Sequence, residues 1–285
     1  MVNSGAKKTK ITTPIDDKIF YGVVNLFLTL MLIIVGVPLI HLLSASFSSA
    51  KAVIAGKVFL WPVEFSLDGY KAVFEHNLIL TSYRNSLFYL VAGTIINIIL
   101  TMIAAYPLSR SDMPGVKPLT LIFTFTMIFS GGLIPAYLLV SGLGMIDTVW
   151  ALLIPGAISV YNMIVARSFI KSNIPKELLE AAQIDGCGDI KFFWKMVIPL
   201  SKAVIAVITL YYAIGHWNQY FNALIYLNNK NLYPLQIVLK DILVSNQVNA
   251  NMIYDPELAE AKQGLAELLK YSLIVVSVVP VLIIY

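Results

Sequence analysis

Six long apolar runs alternate with shorter polar connections along the chain, and this pattern predicts a bundle of membrane-spanning helices. A helix needs roughly 20 apolar residues to cross a bilayer, and only helices satisfy every backbone group within lipid over such lengths. The chain therefore predicts an all-α integral membrane protein, a six-span helical bundle with both ends on one side of the membrane. The runs fall at about Ile19–Leu43, Tyr83–Leu108, Leu119–Val140, Thr148–Ala166, Ala203–Leu227 and Ala266–Tyr285.

The composition supports the membrane class. Hydrophobic residues make up 58% of the chain, charged residues 13%, and the mean hydropathy is +0.79, whereas soluble domains are typically about 25% charged. The net charge of +4 is small and does not indicate nucleic-acid binding. A single cysteine, Cys187, excludes an intrachain disulfide.

The two chain ends carry further expectations. The first apolar run is too long for the core of a signal peptide, so we expect it to be retained as the first span. A cytoplasmic N-terminal segment, residues 1–18, would precede it, and residues 19–285 would form the membrane domain. The chain stops at Tyr285 inside an apolar run, from which we expect a short cytoplasmic tail to follow in the complete protein.

The distribution of basic residues predicts that the N-terminus lies inside the cell. In that orientation, 12 of the 20 Lys and Arg residues fall on the inner side, as the excess of positive charge in cytoplasmic loops requires. Lys7, Lys8, Lys10 and Lys18 form the N-terminal cluster. The long outer connections predict short helices at Asp68–Glu75 and within "LYPLQIVLKDILV".

The chain lacks the groups that would let it power transport alone. It has no G-x-x-x-x-G-K-[ST] loop for ATP. The central parts of the runs lack Asp, Glu, Lys and Arg, which ion-driven carriers use. His216 is the one ionisable group there, and a hydrogen-bonded bundle residue is favoured over a proton carrier. The histidines have no metal-ligand spacing and there is no G-x-S-x-G nucleophile, so an enzyme is disfavoured and energy would come from another subunit.

One connection, "LLEAAQIDGCGDIKFFWKMVIPL", predicts two short helices around a glycine turn. The first would span Pro175–Ile184, since proline suits a first helical turn, with Gly186 in the left-handed position after its end. Leu178, Ala181 and Ala182 would share one stripe of this helix. The second helix would run from Asp189 to Val197, with an apolar side formed by Ile190, Phe193, Trp194 and Val197. From periodicity alone, an amphipathic helix at the lipid interface remains an alternative.

The same stretch resembles the EAA loop of ABC-importer permease subunits. Seven residues match that family's pattern: Glu180, Ala181, Ala182, Asp185, Gly186, Phe193 and Pro199. Cys187 stands where the family usually has alanine. The stretches "NSLFYLVAGTIINIILTMIAAYPLSR" and "YYAIGHWNQYFNALIYLNNKNLYPLQIVL" are similar to the carbohydrate (maltose-transporter-like) branch, closest to its complex-oligosaccharide permease group.

The resemblance implies a multi-pass subunit of the bacterial plasma membrane. It would pair with a second permease, expected to be a different chain, with two ATPase subunits and with an extracellular lipoprotein-type sugar-binding protein. The ATPases would bind ATP and Mg, and this chain would hold no cofactor and no metal. The EAA loop, at about residues 171–199, would form a coupling helix that sits in the ATPase and drives alternating access.

The fifth apolar run carries the main candidates for a substrate pathway. Tyr212, His216 and Tyr220 are spaced four residues apart and would share one helical face, with Trp217, Asn218 and Asn222 beside them. Aromatic rings and amides suit neutral sugars. Tyr137, Tyr161 and Asn162 are further candidates. The alternative is packing, or an interfacial aromatic belt.

Two other features leave alternatives open. Gly131 and Gly132 before Pro135 indicate either a hinge or close helix packing by small residues, and packing is favoured. For the function, we predict oligosaccharide import by an ABC permease. The alternatives are an ABC permease for phosphate, amino acids or polyamines, which would favour charged groups in the spans, and a stand-alone secondary sugar carrier.

Overall fold

The computed structural model describes the backbone of residues 15–249 and 256–284 and the side chains of residues 16–242 and 264–283. Within these ranges all regular structure is helical, as predicted. Residues 1–14 of the predicted N-terminal segment, and the predicted tail, lie outside the described residues. The helices are α1 (Ile15–Ser46), α2 (Ala50–Ile54), α3 (Asp68–Glu75), α4 (Asn77–Ser109), α5 (Val116–Ile128), α6 (Leu133–Gly142), α7 (Trp150–Leu153), α8 (Val160–Asn173), α9 (Lys176–Ile184), α10 (Asp189–Phe192), α11 (Ile198–Leu200), α12 (Lys202–Trp217), α13 (Phe221–Tyr226), α14 (Leu235–Asn249) and α15 (Pro256–Ile284).

The described residues hold three to five candidate spans, against the six predicted. By length and composition, three helices could each cross a membrane: α1, α4 and the 264–283 part of α15. Two bent pairs bring the number to five if each counts as one span: α5 with α6, bent by 113°, and residues 189–200 with α12, bent by 79°. The short helices predicted in the outer connections are present as α3 and α14.

Three predicted spans are interrupted, and at two of the interruptions glycine or proline breaks the helix within an apolar run. Between α5 and α6, Gly132 has φ +87°, a conformation that glycine adopts readily. Between α7 and α8 the chain passes Pro155 and Gly156, whose φ is +73°. Neither Gly131 nor Gly132 has a neighbour within 4 Å of an added Cβ, so the pair marks a helix break and does not pack against another helix of this chain.

The third interruption follows Trp217, where α12 ends. The N–H of Asn218 still donates to the Ile214 carbonyl at 3.0 Å, and α13 begins only at Phe221. Tyr212 and His216 therefore share a face of α12, but the prediction that Tyr220 continues the same helical face is wrong.

Helix α4 is the centre of the bundle and packs most extensively against α12 and α8. Its buried polar face carries Asn97 and Thr101, which are four residues apart and so project in similar directions. Asn97 Nδ2 lies 3.0 Å from His216 Nε2, and Thr101 Oγ1 lies 2.6 Å from the Tyr212 hydroxyl. These pairs satisfy polar groups inside the bundle, as an apolar surrounding requires.

Two apolar clusters lie along α4. One surrounds its N-terminal half and includes Tyr89, Leu152 and Trp217. The other surrounds its C-terminal half and includes Met102 and Phe192. The polar pairs to α12 lie between them.

The close approach of α4 to α12 at Gly93 generates a stability prediction. A Cβ built at Gly93 would overlap the ring of His216, which Asn97 holds in place. Overpacking of this kind typically costs about 1–3 kcal/mol. We expect Gly93→Ala to lower the thermal unfolding midpoint of the detergent-purified protein.

The matched control is Gly22→Ala in α1, where an added Cβ meets nothing within 4 Å. This variant should unfold at or slightly above the parent midpoint, because alanine favours helix. Equal midpoints for both variants would contradict the packing account.

Candidate functional site

A cavity of about 600 Å³ opens midway along α4, beside α12 and the start of α8. Seven of the nine residues predicted for the substrate pathway line it: Tyr161, Asn162, Tyr212, His216, Asn218, Tyr220 and Asn222. The rest of the lining is formed by Asn97, Leu152, Pro155, Gly156, Ser159, Tyr211, Gly215, Gln219 and Phe221. The break after α12 brings Asn218, Tyr220 and Asn222 to the cavity although they do not continue its helix.

The other two predicted pathway residues lie outside this cavity. Trp217 is only 1% exposed, donates its Nε1–H to the Ser277 carbonyl at 3.0 Å and packs edge-on against Tyr83. It follows His216 directly, and one residue turns a helix by about 100°, so it faces the core. Tyr137 stacks on Tyr226 with ring centroids 6.2 Å apart.

Hydrogen bonds hold His216 on both sides of its ring. Nε2 lies 3.0 Å from Asn97 Nδ2, and Nδ1 lies 3.3 Å from Gln219 Oε1. Gln219 in turn donates to the Leu152 carbonyl at 3.1 Å. The contacts fit a neutral ring that donates from Nδ1 to Gln219 and accepts from Asn97 at Nε2. His216 is thus a positioned, hydrogen-bonded member of the cavity wall.

Tyr212 joins three helices through one hydroxyl group. Besides its contact with Thr101, the hydroxyl accepts the backbone N–H of Ser159 at 3.1 Å. Ser159 caps α8 by accepting the Asn162 N–H on its side-chain oxygen. The ring of Tyr212 lines the cavity while its hydroxyl fixes the cavity wall.

Asn97 is a cavity residue that the sequence-based expectations do not include. It is 4% exposed, and in the described part of the chain its Oδ1 has no hydrogen-bond partner. An unpaired buried acceptor costs about 1–3 kcal/mol, and a ligand hydroxyl or a water molecule would satisfy it. The sequence contains one signal that could have identified Asn97: it is an amide side chain within an apolar run, and polar residues inside spans are frequently functional.

The described lining of the cavity contains amide, hydroxyl, imidazole and aromatic groups, and none of its residues is Asp, Glu, Lys or Arg. Among the side chains the structure describes, no group of three or more His, Cys, Asp or Glu residues could hold a metal ion. The cavity can therefore form neutral hydrogen bonds and stack against rings, which suits the binding of hydroxyl groups and of the apolar faces of rings.

A second structural unit, residues 176–200, lies at the C-terminal end of α4; we call it the coupling segment. Gly186 has φ +72° and directly follows the C-cap residue Asp185, which confirms the predicted left-handed position. Its N–H donates to the Gln183 carbonyl at 3.0 Å, and the Cys187 N–H donates to the Ala182 carbonyl at 2.8 Å. These two bonds form a Schellman cap and fix the turn.

The first helix of the coupling segment separates a buried side from an exposed side. Leu178, Leu179 and Ala182 pack into the cluster around Met102, and half-buried Cys187 packs there too. Ala181 is exposed, so the predicted stripe joining Ala181 to Ala182 is wrong; adjacent residues on a helix do not share a face. The exposed surface includes Glu180, Ala181, Asp185 and Ile184, which is 87% exposed.

The apolar side of the second half of the coupling segment agrees in part with the predicted one. Phe193 and Val197 are buried as predicted, and so is Phe192, whereas the prediction is wrong for Ile190 and Trp194, which are exposed. A π-helical turn spans Phe193–Val197. The turn accommodates exposed Pro199, because the proline ring would clash in a regular helix with the carbonyl four residues earlier.

An ion cluster ties the coupling segment to α4. Arg110, the C-cap of α4, contacts Asp112 and Asp189 at 2.5 Å each, and its side chain is only 15% exposed. The hydrogen bonds that Arg110 donates to Asp112 raise the pKa of Arg110 and hold the pKa of Asp112 below its usual range. A carboxyl group whose pKa is lowered on folding stabilises the fold at pH values above its ordinary pKa, and this stabilisation is lost as the pH falls through the lowered pKa. The ion cluster is therefore intact at neutral pH.

The fold and the cavity together define the class of protein: an all-helical membrane permease. The chain belongs to the family described as binding-protein-dependent transport system inner membrane component, whose sequence pattern matches residues 78–285.

The similarity to known proteins extends over almost the whole chain. The polygalacturonan/rhamnogalacturonan transport system permease protein YtcP of Bacillus subtilis (strain 168) is 40% identical over 270 residues, covering 94% of this chain and 92% of that protein. Protein LplC of the same organism is 38% identical over 249 residues, covering 87% and 83%. A crystal structure of a bacterial ABC transporter involved in the import of the acidic polysaccharide alginate contains a chain that superimposes with a TM-score of 0.87 at 35% identity, covering 96% of each chain.

The Arg110 cluster yields a test of how the coupling segment is attached. Arg110→Gln removes the cation that faces two carboxylates, and loss of a hydrogen bond to a charged group costs about 1–3 kcal/mol. We expect amide hydrogen exchange at residues 185–193 to accelerate about tenfold or more, since 1.4 kcal/mol corresponds to a factor of ten.

Arg84→Gln is the matched control, because Arg84 is exposed near the opposite end of α4. It should leave exchange in the coupling segment unchanged. If Arg110→Gln also left exchange unchanged, the ion cluster would have no role in holding the segment.

Proposed function

We propose that this chain is the membrane-spanning permease subunit of a bacterial ABC importer that carries oligosaccharides into the cell by alternating access. The observation that carries the proposal is an uncharged cavity, lined by amides and aromatic rings, in a member of the binding-protein-dependent transport family. Its volume of about 600 Å³ lies within the usual range for small-molecule sites. The names of YtcP and of the alginate importer support a saccharide substrate.

The proposed substrate contacts follow from the chemistry of sugars, which present both apolar ring faces and hydroxyl groups. Tyr161 is 55% exposed and lines the cavity, so its ring is available to a sugar face. Asn218 and Asn222 are exposed in the same lining, and Asn97 offers its unpaired oxygen. Asn162, Tyr212, His216 and Tyr220 complete the proposed pathway within this cavity.

We infer that a partner ATPase engages the exposed surface of the coupling segment. The Schellman cap, the buried Phe192 and Phe193 and the Arg110 cluster make the segment rigid. It meets α12, which borders the cavity, at a bend of 79°. A displacement of the segment would therefore be transmitted to the cavity wall, with Glu180, Ala181, Asp185 and Gly186 at the contact and Phe193 and Pro199 as supporting elements.

The remaining partners follow from the same proposal. The coupling segment and the N-terminus would face the cytoplasm, and two ATPase subunits would bind ATP and Mg. A second permease and the lipid bilayer would cover the apolar outer surface, which includes α1, where the apolar window is unburied in this chain. An extracellular binding protein would deliver the oligosaccharide.

Two glycines in one turn test the coupling role. Gly186 has φ +72°, whereas Gly188 has φ −73°, and an added Cβ meets nothing within 4 Å at either position. Gly186→Ala strains the turn by about 1 kcal/mol or more, so it should reduce substrate-stimulated ATP hydrolysis by the reconstituted transporter while capture by the binding protein is retained.

Gly188→Ala requires no unusual backbone conformation and should leave ATP hydrolysis close to the parent value. Normal stimulation in Gly186→Ala would remove the coupling role. Uptake by this chain reconstituted without ATPase subunits would instead favour the stand-alone carrier.

Two tyrosines test the pathway. Tyr161→Ala removes a ring that lines the cavity, and an aromatic contact is worth roughly 1 kcal/mol beyond its buried area, so we expect oligosaccharide uptake to fall about fivefold or more. Tyr137→Ala removes a ring outside the cavity and should change uptake little. Equal uptake by both variants, at matched expression, would contradict the proposed pathway.

A further inference from the structure

A second cavity, of about 390 Å³, lies at the N-terminal end of α4 and includes Leu78 in its wall. Arg110, which holds the coupling segment, follows the other end of this helix. At 1.5 Å per residue these positions are roughly 48 Å apart along the axis. The second cavity, the central cavity at Asn97 and the coupling segment therefore follow one another along α4, and the second cavity is the one farthest from the ATPase surface.

Tyr220 forms a shared wall between the two cavities, since it lines both. The ammonium group of Lys240 lies 4.7 Å from the centroid of the Tyr220 ring and donates a hydrogen bond to its hydroxyl. Lys240 is therefore anchored directly at the partition that separates the second cavity from the central one.

The two cavities differ in charge among the residues that the structure describes. The described lining of the second cavity carries two cations, Lys230 and Lys240, and one anion, Asp241, whereas the described lining of the central cavity has no charged residue. Lys230 and Lys240 are both exposed, so the excess positive charge of this lining is accessible from solvent.

The backbone around these lysines is fixed to α4. Asn85 Nδ2 donates to the carbonyls of Asn231 and Tyr233 at 2.6 and 3.1 Å. Tyr89 donates its hydroxyl to the Leu232 carbonyl at 2.9 Å. Ile237 and Val238 in α14 are buried in the core cluster. The cations thus project from a constrained frame.

We infer that this second cavity is an outer antechamber whose lysines bind the carboxylate groups of acidic oligosaccharides before the sugar reaches the central cavity. The inference rests on the proposed function and narrows its substrate class. An unpaired carboxylate is costly to desolvate, and the central lining offers it no cation. A cationic group next to the entrance compensates the charge, while the uncharged wall beyond Tyr220 receives the sugar rings.

An anionic lipid headgroup would satisfy the same lysines, but the shared Tyr220 wall favours a ligand that passes on to the central cavity.

The experiment distinguishes an acidic oligosaccharide from an anionic lipid as the ligand of these lysines. The complete transporter is embedded in phosphatidylcholine nanodiscs and, in a second arm, in discs that contain phosphatidylglycerol. Equilibrium dialysis measures the binding of trigalacturonate and trimannuronate, and of the same trimers with their carboxylates reduced to alcohols.

We expect Lys240→Gln to weaken binding of the acidic trimers about three- to fivefold at low salt, as for an exposed ion pair, with a smaller effect at high salt. The reduced trimers should bind the parent and the variant equally. Lys240→Arg retains the charge and should stay near the parent. Lys57→Gln, at an exposed lysine between α2 and α3 that is outside both linings, is the matched control.

The inference is overturned if the acidic trimers do not bind, if Lys240→Gln affects acidic and reduced trimers equally or not at all, or if its effect occurs only with phosphatidylglycerol. ATP-driven uptake by the parent with its binding protein is measured alongside. If the parent takes up an oligosaccharide but Lys240→Gln does not selectively weaken binding of the acidic trimers, only the antechamber proposal is overturned. If the parent takes up no oligosaccharide, the proposed function fails.

Discussion

The hydrogen-bonded seam between α4 and α12 is the constraint on which the rest of the structure depends. Polar side chains in an apolar medium must find partners within the protein, and here Asn97 pairs with His216 and Thr101 pairs with Tyr212. Tyr212 also receives the backbone N–H of Ser159, so α8 is held by the same seam. The central cavity borders these contacts, and its shape is therefore set by bonds that cannot be exchanged for water without opening the bundle.

A rigid seam has a consequence for how motion can travel. The coupling segment buries Phe192 and Phe193 in the same cluster as Met102 of α4 and Met163 of α8, and Arg110 binds it to the end of α4. Packed interiors shift between discrete arrangements and deform little within each one. A displacement of the segment would therefore carry α4, α8 and α12 together, whereas the helix breaks, such as the one near Gly132, interrupt the continuous backbone hydrogen bonding of the bundle.

The outline of the fold could be predicted from the sequence because it depends on apolar length and on glycine and proline chemistry. The all-helical class, α3 and the left-handed Gly186 are examples. The break near Gly132 was only one of two alternatives, and the breaks near Gly156 and Asn218 were not predicted, since apolar residues continue on both sides of them. Trp194 of the coupling segment is exposed and Phe192 is buried, because periodicity gives only the approximate direction of the apolar side. Trp217 was assigned to the pathway because periodicity does not show which face of α12 meets the cavity.

The absence of charge from the described lining of the central cavity suits a transport site better than a tight receptor site. A carrier must bind its cargo strongly enough to admit it and weakly enough to release it. Neutral hydrogen bonds contribute only about 0.5–1.5 kcal/mol each. Asn97 offers one unpaired acceptor, and the Tyr212 hydroxyl is committed to the seam. Weak, reversible contacts on a rigid wall would, under the proposed function, leave the direction of transport to be set by energy that enters at the coupling segment.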